Sequence, residues 1–135
     1  MARKELYYSV SGTKGRDEGK MYHIQEMSAS QAEWWAIQVG MAMSRNGVEV
    51  PDDLSNMGMA AMAMHGLALV AKIPAVEAKP LLDELMACVQ AVPNPNDKKI
   101  QRPLVESDTE EVATRLKLRM EVFKLHVDFL LPASA

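Results

Sequence analysis

Prolines at positions 51, 74, 80, 93, 95, 103 and 132 set the outer limits of any helix in this chain, because a proline inside a helix removes a backbone donor and clashes one turn back. They leave helix-length stretches before Pro51, between Pro51 and Pro74, and between Pro103 and Pro132, with a shorter one after Pro80. The remaining punctuation is glycine, at 12, 15 and 19 in a polar stretch near the start and in Asn46-Gly47.

Within those limits the chain reads as follows. Lys4-Glu-Leu-Tyr-Tyr-Ser-Val10 and Lys20-Met-Tyr-His-Ile-Gln-Glu26 carry the aromatic and branched residues that suit strands, and the glycine-bearing stretch between them predicts a β-hairpin with a long connection. Ser28 and Ser30 are candidate N-caps, with Gln31 and Glu33 each placed three residues later. A helix is expected to run from there to Arg45, where Asn46-Gly47 supplies a left-handed stop. Pro51 disfavours helical geometry at Val50, so a second helix is expected over about residues 53–71, ending before Pro74. A short irregular turn is expected at 75–79 and a helix at 80–91. Pro93 to Pro103 reads as a loop in which Lys98 to Gln101 could pair with a sheet edge. Ser107-Asp108-Thr109-Glu110 forms a capping-box sequence, which predicts a last helix reaching about Phe129. The expected fold is mainly α within the α+β class, about four helices with a small N-terminal hairpin. It forms one domain over 1–135, with the hairpin in 1–27, a helical body in 28–130 and a loose tail in 131–135.

Composition narrows the function. A domain of 135 residues can bury roughly two-thirds of its unfolded surface without a disulfide or metal staple. Cys88 is the only cysteine, so neither an internal disulfide nor a thiolate-rich metal site is expected. Residues 1–20 hold five basic and three acidic side chains, 21–90 three and eight, and 91–135 seven of each. No stretch clusters Lys and Arg as nucleic-acid binding requires. The basic start, Met1-Ala-Arg-Lys-Glu5, has no apolar run behind it and does not read as a secretory signal. Leu54 to Ala71 has no charged residue, yet Ser55, Asn56, His65, two glycines and many alanines make it a buried helix rather than a membrane span. A cytoplasmic location is expected.

The residues that could carry chemistry do not assemble into a catalytic motif. Gly19-Lys20 is followed by Met21, so no phosphate-binding loop is present. His23, His65 and His126 are scattered, without the spacing that puts two imidazoles on one helical face. Cys88 with one of these histidines could form a nucleophile dyad, but nothing in the local sequence resembles an activating context. The doublets Asp52-Asp53, Asp83-Glu84 and Glu110-Glu111 fall near helix starts or on polar faces, where dipole matching and solvation explain them. No enzymatic activity, cofactor or metal is expected.

Apolar surface is the feature in excess. On the first helix Ala32, Trp35, Ala36, Val39 and Met43 share one stripe, and Trp34, Ile37 and Met41 fall nearly opposite. On the last helix one stripe runs through Val112, Leu116, Met120, Phe123 and Val127, and a second through Leu118, Val122, Leu125 and Phe129. Such helices are either sandwiched within the domain or pressed against a partner. Met57, Met59, Met62 and Met64, near Met41 and Met43, supply flexible, polarizable side chains that fill loose cores or repack against varied clients. The candidate partner-binding residues are therefore Trp34, Ile37, Met41, Met57, Met59, Met62 and Met64, and a homo-oligomer is expected.

Three segments occur together in an order that carries a resemblance: Ser28-Ala-Ser-Gln-Ala-Glu-Trp-Trp-Ala36, Leu81-Leu-Asp-Glu-Leu-Met-Ala-Cys-Val-Gln-Ala-Val-Pro93, and Arg102-Pro-Leu-Val-Glu-Ser-Asp-Thr-Glu-Glu-Val-Ala-Thr-Arg-Leu-Lys-Leu-Arg-Met-Glu-Val-Phe-Lys-Leu-His126. Over about residues 20–127 the chain resembles the tail assembly chaperones of long-tailed bacteriophages and prophages. It departs from them at Trp34, where family members tend to have a charged or polar residue, and an exposed Trp there would extend a contact surface. The resemblance implies a factor of the host cytoplasm that binds the tape measure protein, keeps it soluble and helps tail tube subunits polymerise around it. It also implies that this is the shorter of two products where frameshifting makes both. The alternative is a structural tail or head completion protein of the virion, which would also be small, acidic and helical.

Overall fold

The computed structural model describes residues 3–12, 14–48 and 68–126. Their fold is α+β, as the sequence predicts. The hairpin is present: β1 (Glu5–Ser9) pairs antiparallel with β2 (Met21–Gln25), with Tyr7 opposite His23. It is part of a larger sheet. β3 (Val89–Val92) pairs antiparallel with β2, and the two-residue β4 (Arg102–Pro103) pairs antiparallel with β3, giving the order β1-β2-β3-β4.

Helix α1 (Ala29–Arg45) begins and ends where its sequence signals place it. The Ser28 hydroxyl accepts the Gln31 amide, and the Val48 and Gly47 amides close back onto the Met43 and Ser44 carbonyls at 2.9 and 3.3 Å. Gly47 has φ of 68°, the left-handed conformation that this double closure requires.

Three expectations are corrected. Residues 75–79 are not an irregular turn, because α2 spans Ala75–Met86 with Pro80 inside it. The hydrogen bond that Pro80 cannot make is the one to the Val76 carbonyl, and Val76 is 84% exposed, so water can take the donor's place. The helix expected at 80–91 stops at Met86, and residues 89–92 form β3 instead. Val89 and Val92 are β-branched, Pro93 holds Val92 out of helical geometry, and β2 is a buried strand whose second edge needs backbone partners. Finally, α3 spans Val112–His126, and Glu106–Asp108 forms a separate 3-10 turn. Of the helix expected over about 53–71, residues 53–67 lie outside the described residues, as does the continuation of the last helix past His126. Residues 68–70 are helical.

The helices cover one face of the sheet. Tyr22, Ile24 and Val89 from the strands, Trp35 and Val39 from α1, Leu81 and Leu85 from α2, and Leu118, Val122 and Phe123 from α3 make one continuous core. On α3 the stripe through Leu118 and Val122 faces inward, both fully buried, whereas Val112 and Leu116 are exposed. The other stripe contributes Phe123, and Met120 packs at the margin. The opposite face of the sheet is crossed by the loop after β3, where Gln101 Nε2 donates to the Tyr7 hydroxyl at 3.3 Å and Lys98 Nζ lies 5.1 Å from the Tyr7 ring centre.

Candidate binding surface

The two adjacent tryptophans of α1 point to opposite environments, as the helical period requires. Trp35 is 7% exposed. Its indole N–H donates to the Leu81 carbonyl at 2.9 Å, and its ring meets Phe123 edge-on with centroids 5.9 Å apart. That single side chain ties α1 to both α2 and α3. Trp34 is 54% exposed, and Ile37 and Met41 lie beside it at 44% and 43%. The outward face expected from the sequence is therefore an open apolar strip on a helix fixed from behind.

Between α1 and α2 this strip deepens into a groove of about 250 Å³, lined by Trp34, Gln38, Met41, Val76, Pro80 and Leu81 among others. Its end is held by charge. Arg45 Nε donates to Glu77 Oε1 at 3.1 Å and Asn46 Nδ2 to Glu77 Oε2 at 2.8 Å. These bonds, that from Arg45 foremost, hold the Glu77 carboxyl below the usual range. Gln38 Oε1 is buried and has no hydrogen-bond partner among the described residues. Met57, Met59, Met62 and Met64, the other candidate contacts, lie outside the described residues, as do His65 and the Asp52-Asp53 doublet.

Two distant contacts hold α3, and one of them joins it to α1. At its start, the Met27 amide donates to His126 Nε2 at 2.8 Å, while His126 Nδ1 lies 2.8 Å from the Val122 carbonyl. The imidazole is thus the neutral form with its proton on Nδ1, and it joins the end of α3 to the start of α1. At the far end of α3, Asp17 from the β1–β2 connection accepts the Glu110 amide at 2.9 Å and the Glu111 amide at 2.9 Å. Asp17 is 1% exposed. Burial opposes its charge, but hydrogen bonds from Thr114, the Glu110 amide, Lys20 and the Glu111 amide outweigh it and hold the carboxyl well below the ordinary range. Arg16 adds a two-point pair with Glu111 at 3.1 and 3.2 Å. Lys20 Nζ donates to the Ser107 carbonyl at 3.0 Å, and the Tyr22 hydroxyl to the Asp108 carbonyl. Sequence reasoning missed this clasp. The capping box it assigned to Ser107 and Glu110 is not formed, because Asp17 takes the amides and Arg102 and the Val105 amide occupy the Asp108 carboxylate.

The remaining reactive groups among the described residues have local partners. Cys88 is half-buried with its thiol 3.7 Å from the Glu84 carbonyl, and burial, then the Glu84 charge, pushes its pKa up to about 11. It is a neutral thiol at physiological pH. His23 is buried at 2.9 Å from Glu5 and its ring lies 5.0 Å from that of Tyr7. Asp83, of the second acidic doublet, pairs with Lys79 one turn earlier on α2. Among the described residues no three His, Cys, Asp or Glu side chains converge as a metal site, and no helix is long and apolar enough to cross a membrane. Compared with protein-family models, curated proteins and solved structures, the chain matches none of them.

Proposed function

We propose that the chain is a binding protein, a tail assembly chaperone of a long-tailed bacteriophage or prophage that acts in the host cytoplasm. It holds the tape measure protein soluble and helps recruit the major tail tube protein around it. The observation that carries a binding role is the division of labour between Trp35 and Trp34: one fixes α1 to the core, and the other stays half-exposed beside Ile37 and Met41 over a groove. The three segments that resemble the chaperone family supply the identity of the client. A tape measure protein is long, and keeping such a chain soluble calls for shielding of its apolar segments, for which an exposed apolar strip is the matching surface.

Titrating the protein with a tape measure fragment by calorimetry tests the reading. Binding is expected with the full chain and is expected to weaken when Trp34 is replaced by Ala. A fragment series spanning the tape measure with no binding anywhere would overturn it. Mass spectrometry of finished particles gives a second readout, because a chaperone leaves the tail and a structural component stays.

A further inference from the structure

Among the described residues the sheet order places β1 at an edge, with one side of the strand paired to β2 and the other to no strand. The register determines what the free side presents. Val10 donates its amide to the Lys20 carbonyl at 3.0 Å, and the Lys4 carbonyl accepts the Glu26 amide at 2.9 Å. Backbone groups alternate sides with a period of two along a strand. Lys4, Leu6, Tyr8 and Val10 therefore turn theirs toward β2, and Glu5, Tyr7 and Ser9 turn theirs outward. Among the described residues, no backbone bond joins this outer row to another segment. Two of the devices that block an edge are missing from it, since residues 5–9 contain no proline and pair with β2 without a bulge.

We propose that two copies of the chain join through β1, antiparallel about a two-fold axis at Tyr7, so that their sheets become one. The parity of the strand favours a second copy as the occupant. With the axis at Tyr7, each outward residue meets another outward residue: Tyr7 its own equivalent, Glu5 the Ser9 of the second copy, and Ser9 its Glu5. All three are hydrogen-bonded pairs. An axis one residue away, at Leu6 or Tyr8, leaves an outward residue unmatched in each copy. The charges agree with this register, because the Glu5 carboxylate faces a neutral hydroxyl rather than another carboxylate. So does the inner face. Leu6 and Tyr8, both partly buried at the margin of the core, stand opposite each other across the axis and close the gap between the two cores.

The test is sedimentation equilibrium of the full chain at micromolar concentration, with circular dichroism of each variant. The wild type is expected to be a dimer. Ser9→Pro removes an outward donor without touching the β1–β2 ladder, and the loss of two bonds per dimer is expected to weaken it roughly thirtyfold or more. Ser9→Glu places a carboxylate beside Glu5 at two symmetric sites and is expected to weaken the dimer about tenfold, whereas Ser9→Lys leaves it intact or tightens it. A monomeric wild type overturns the proposal. So does a dimer indifferent to a folded Ser9→Pro, which would assemble through another face, and so do equal effects of Glu and Lys, which would exclude this register. Should Ser9→Pro unfold, the contrast between Glu and Lys decides alone. The edge is separate from the Trp34 strip, so client titrations of the same variants distinguish failure of the dimer from failure of the binding role.

Discussion

Asp17 Oδ2 accepts the backbone amide of Glu111 at 2.9 Å across 94 residues of sequence. The N-terminus of α3 is thereby capped by a side chain from the β1–β2 connection. The arrangement is a charged cap in a buried place. The carboxylate meets the amides of Glu110 and Glu111 and the positive end of the helix dipole, while Lys20 balances its charge at 2.9 Å.

Removing that carboxylate is expected to be costly. Asp17→Ala leaves the Glu110 and Glu111 amides without their acceptor and removes the charge that balances Lys20, and should destabilise the fold by about 3 kcal/mol in a urea titration. Asp17→Asn keeps the shape and one acceptor oxygen and should cost less. Equal and negligible losses for both would show that water replaces the cap.

The same site sets the response to acid. The folded-state pKa of Asp17 is lowered, so the unfolded chain takes up the proton first as pH falls. Stability is therefore complete above the ordinary carboxylate pKa of about 3.9 and is lost as pH drops below it toward the folded value. Asp108, Glu111 and Glu77 are lowered too, held chiefly by Arg102, Arg16 and Arg45, and act in the same direction. Urea midpoints measured from pH 6 downward should fall steeply for the wild type and less steeply for Asp17→Ala. Parallel slopes would remove Asp17 from the account.

Local signals in the sequence locate α1 and the hairpin well, because a serine cap, an Asn-Gly stop and two aromatic strands each act within a few residues. What they miss is set at a distance. Nothing near Asp17 marks it as a cap for α3, since its partners lie at Glu110 and Glu111. The strand at Val89–Val92 is read as helix for the same reason: its neighbours favour helix, and only pairing with β2 makes it a strand. The two apolar stripes of α3 are visible as stripes, but which one faces inward depends on where the sheet lies. On α1 the ambiguity is smaller, because Trp35 and Val39 share a stripe and Trp34, Ile37 and Met41 fall opposite, as the structure has them.

The inward stripe of α3 can be checked by paired truncations. Leu118 is fully buried and Leu116 is 57% exposed. Leu118→Ala should cost about 2–5 kcal/mol, and Leu116→Ala about 0.5 kcal/mol or less. Phe123, also buried and in contact with Trp35, should cost about 3–5 kcal/mol on replacement by Ala. Comparable losses at Leu116 and Leu118 would mean that the outer stripe is covered in solution.

His126→Ala tests the join between α3 and α1. It leaves the buried Met27 amide without an acceptor, for which about 2 kcal/mol is expected. Hydrogen exchange at Met27 should speed up more than exchange within β2. Unchanged protection at Met27 would indicate another acceptor.

The last prediction separates the two tryptophans. Trp35→Ala removes the hydrogen bond to Leu81, the edge contact with Phe123 and a large buried ring, so it should cost about 3–5 kcal/mol and loosen α1 from the domain. Trp34 makes none of those contacts and is 54% exposed. Its truncation should leave the urea midpoint nearly unchanged, because surface substitutions typically fall within about 0.5 kcal/mol. On binding, an aromatic side chain at the centre of an interface becomes fully desolvated and often carries a large share of the affinity, so Trp34→Ala should lose about 2 kcal/mol toward a tape measure fragment. Ile37→Ala and Met41→Ala, on the same strip, should lose less. A melt and a calorimetric titration of each variant, run side by side, give the answer: a Trp34→Ala protein that unfolds places Trp34 in the core, and one that folds and still binds with full affinity moves the client surface away from α1.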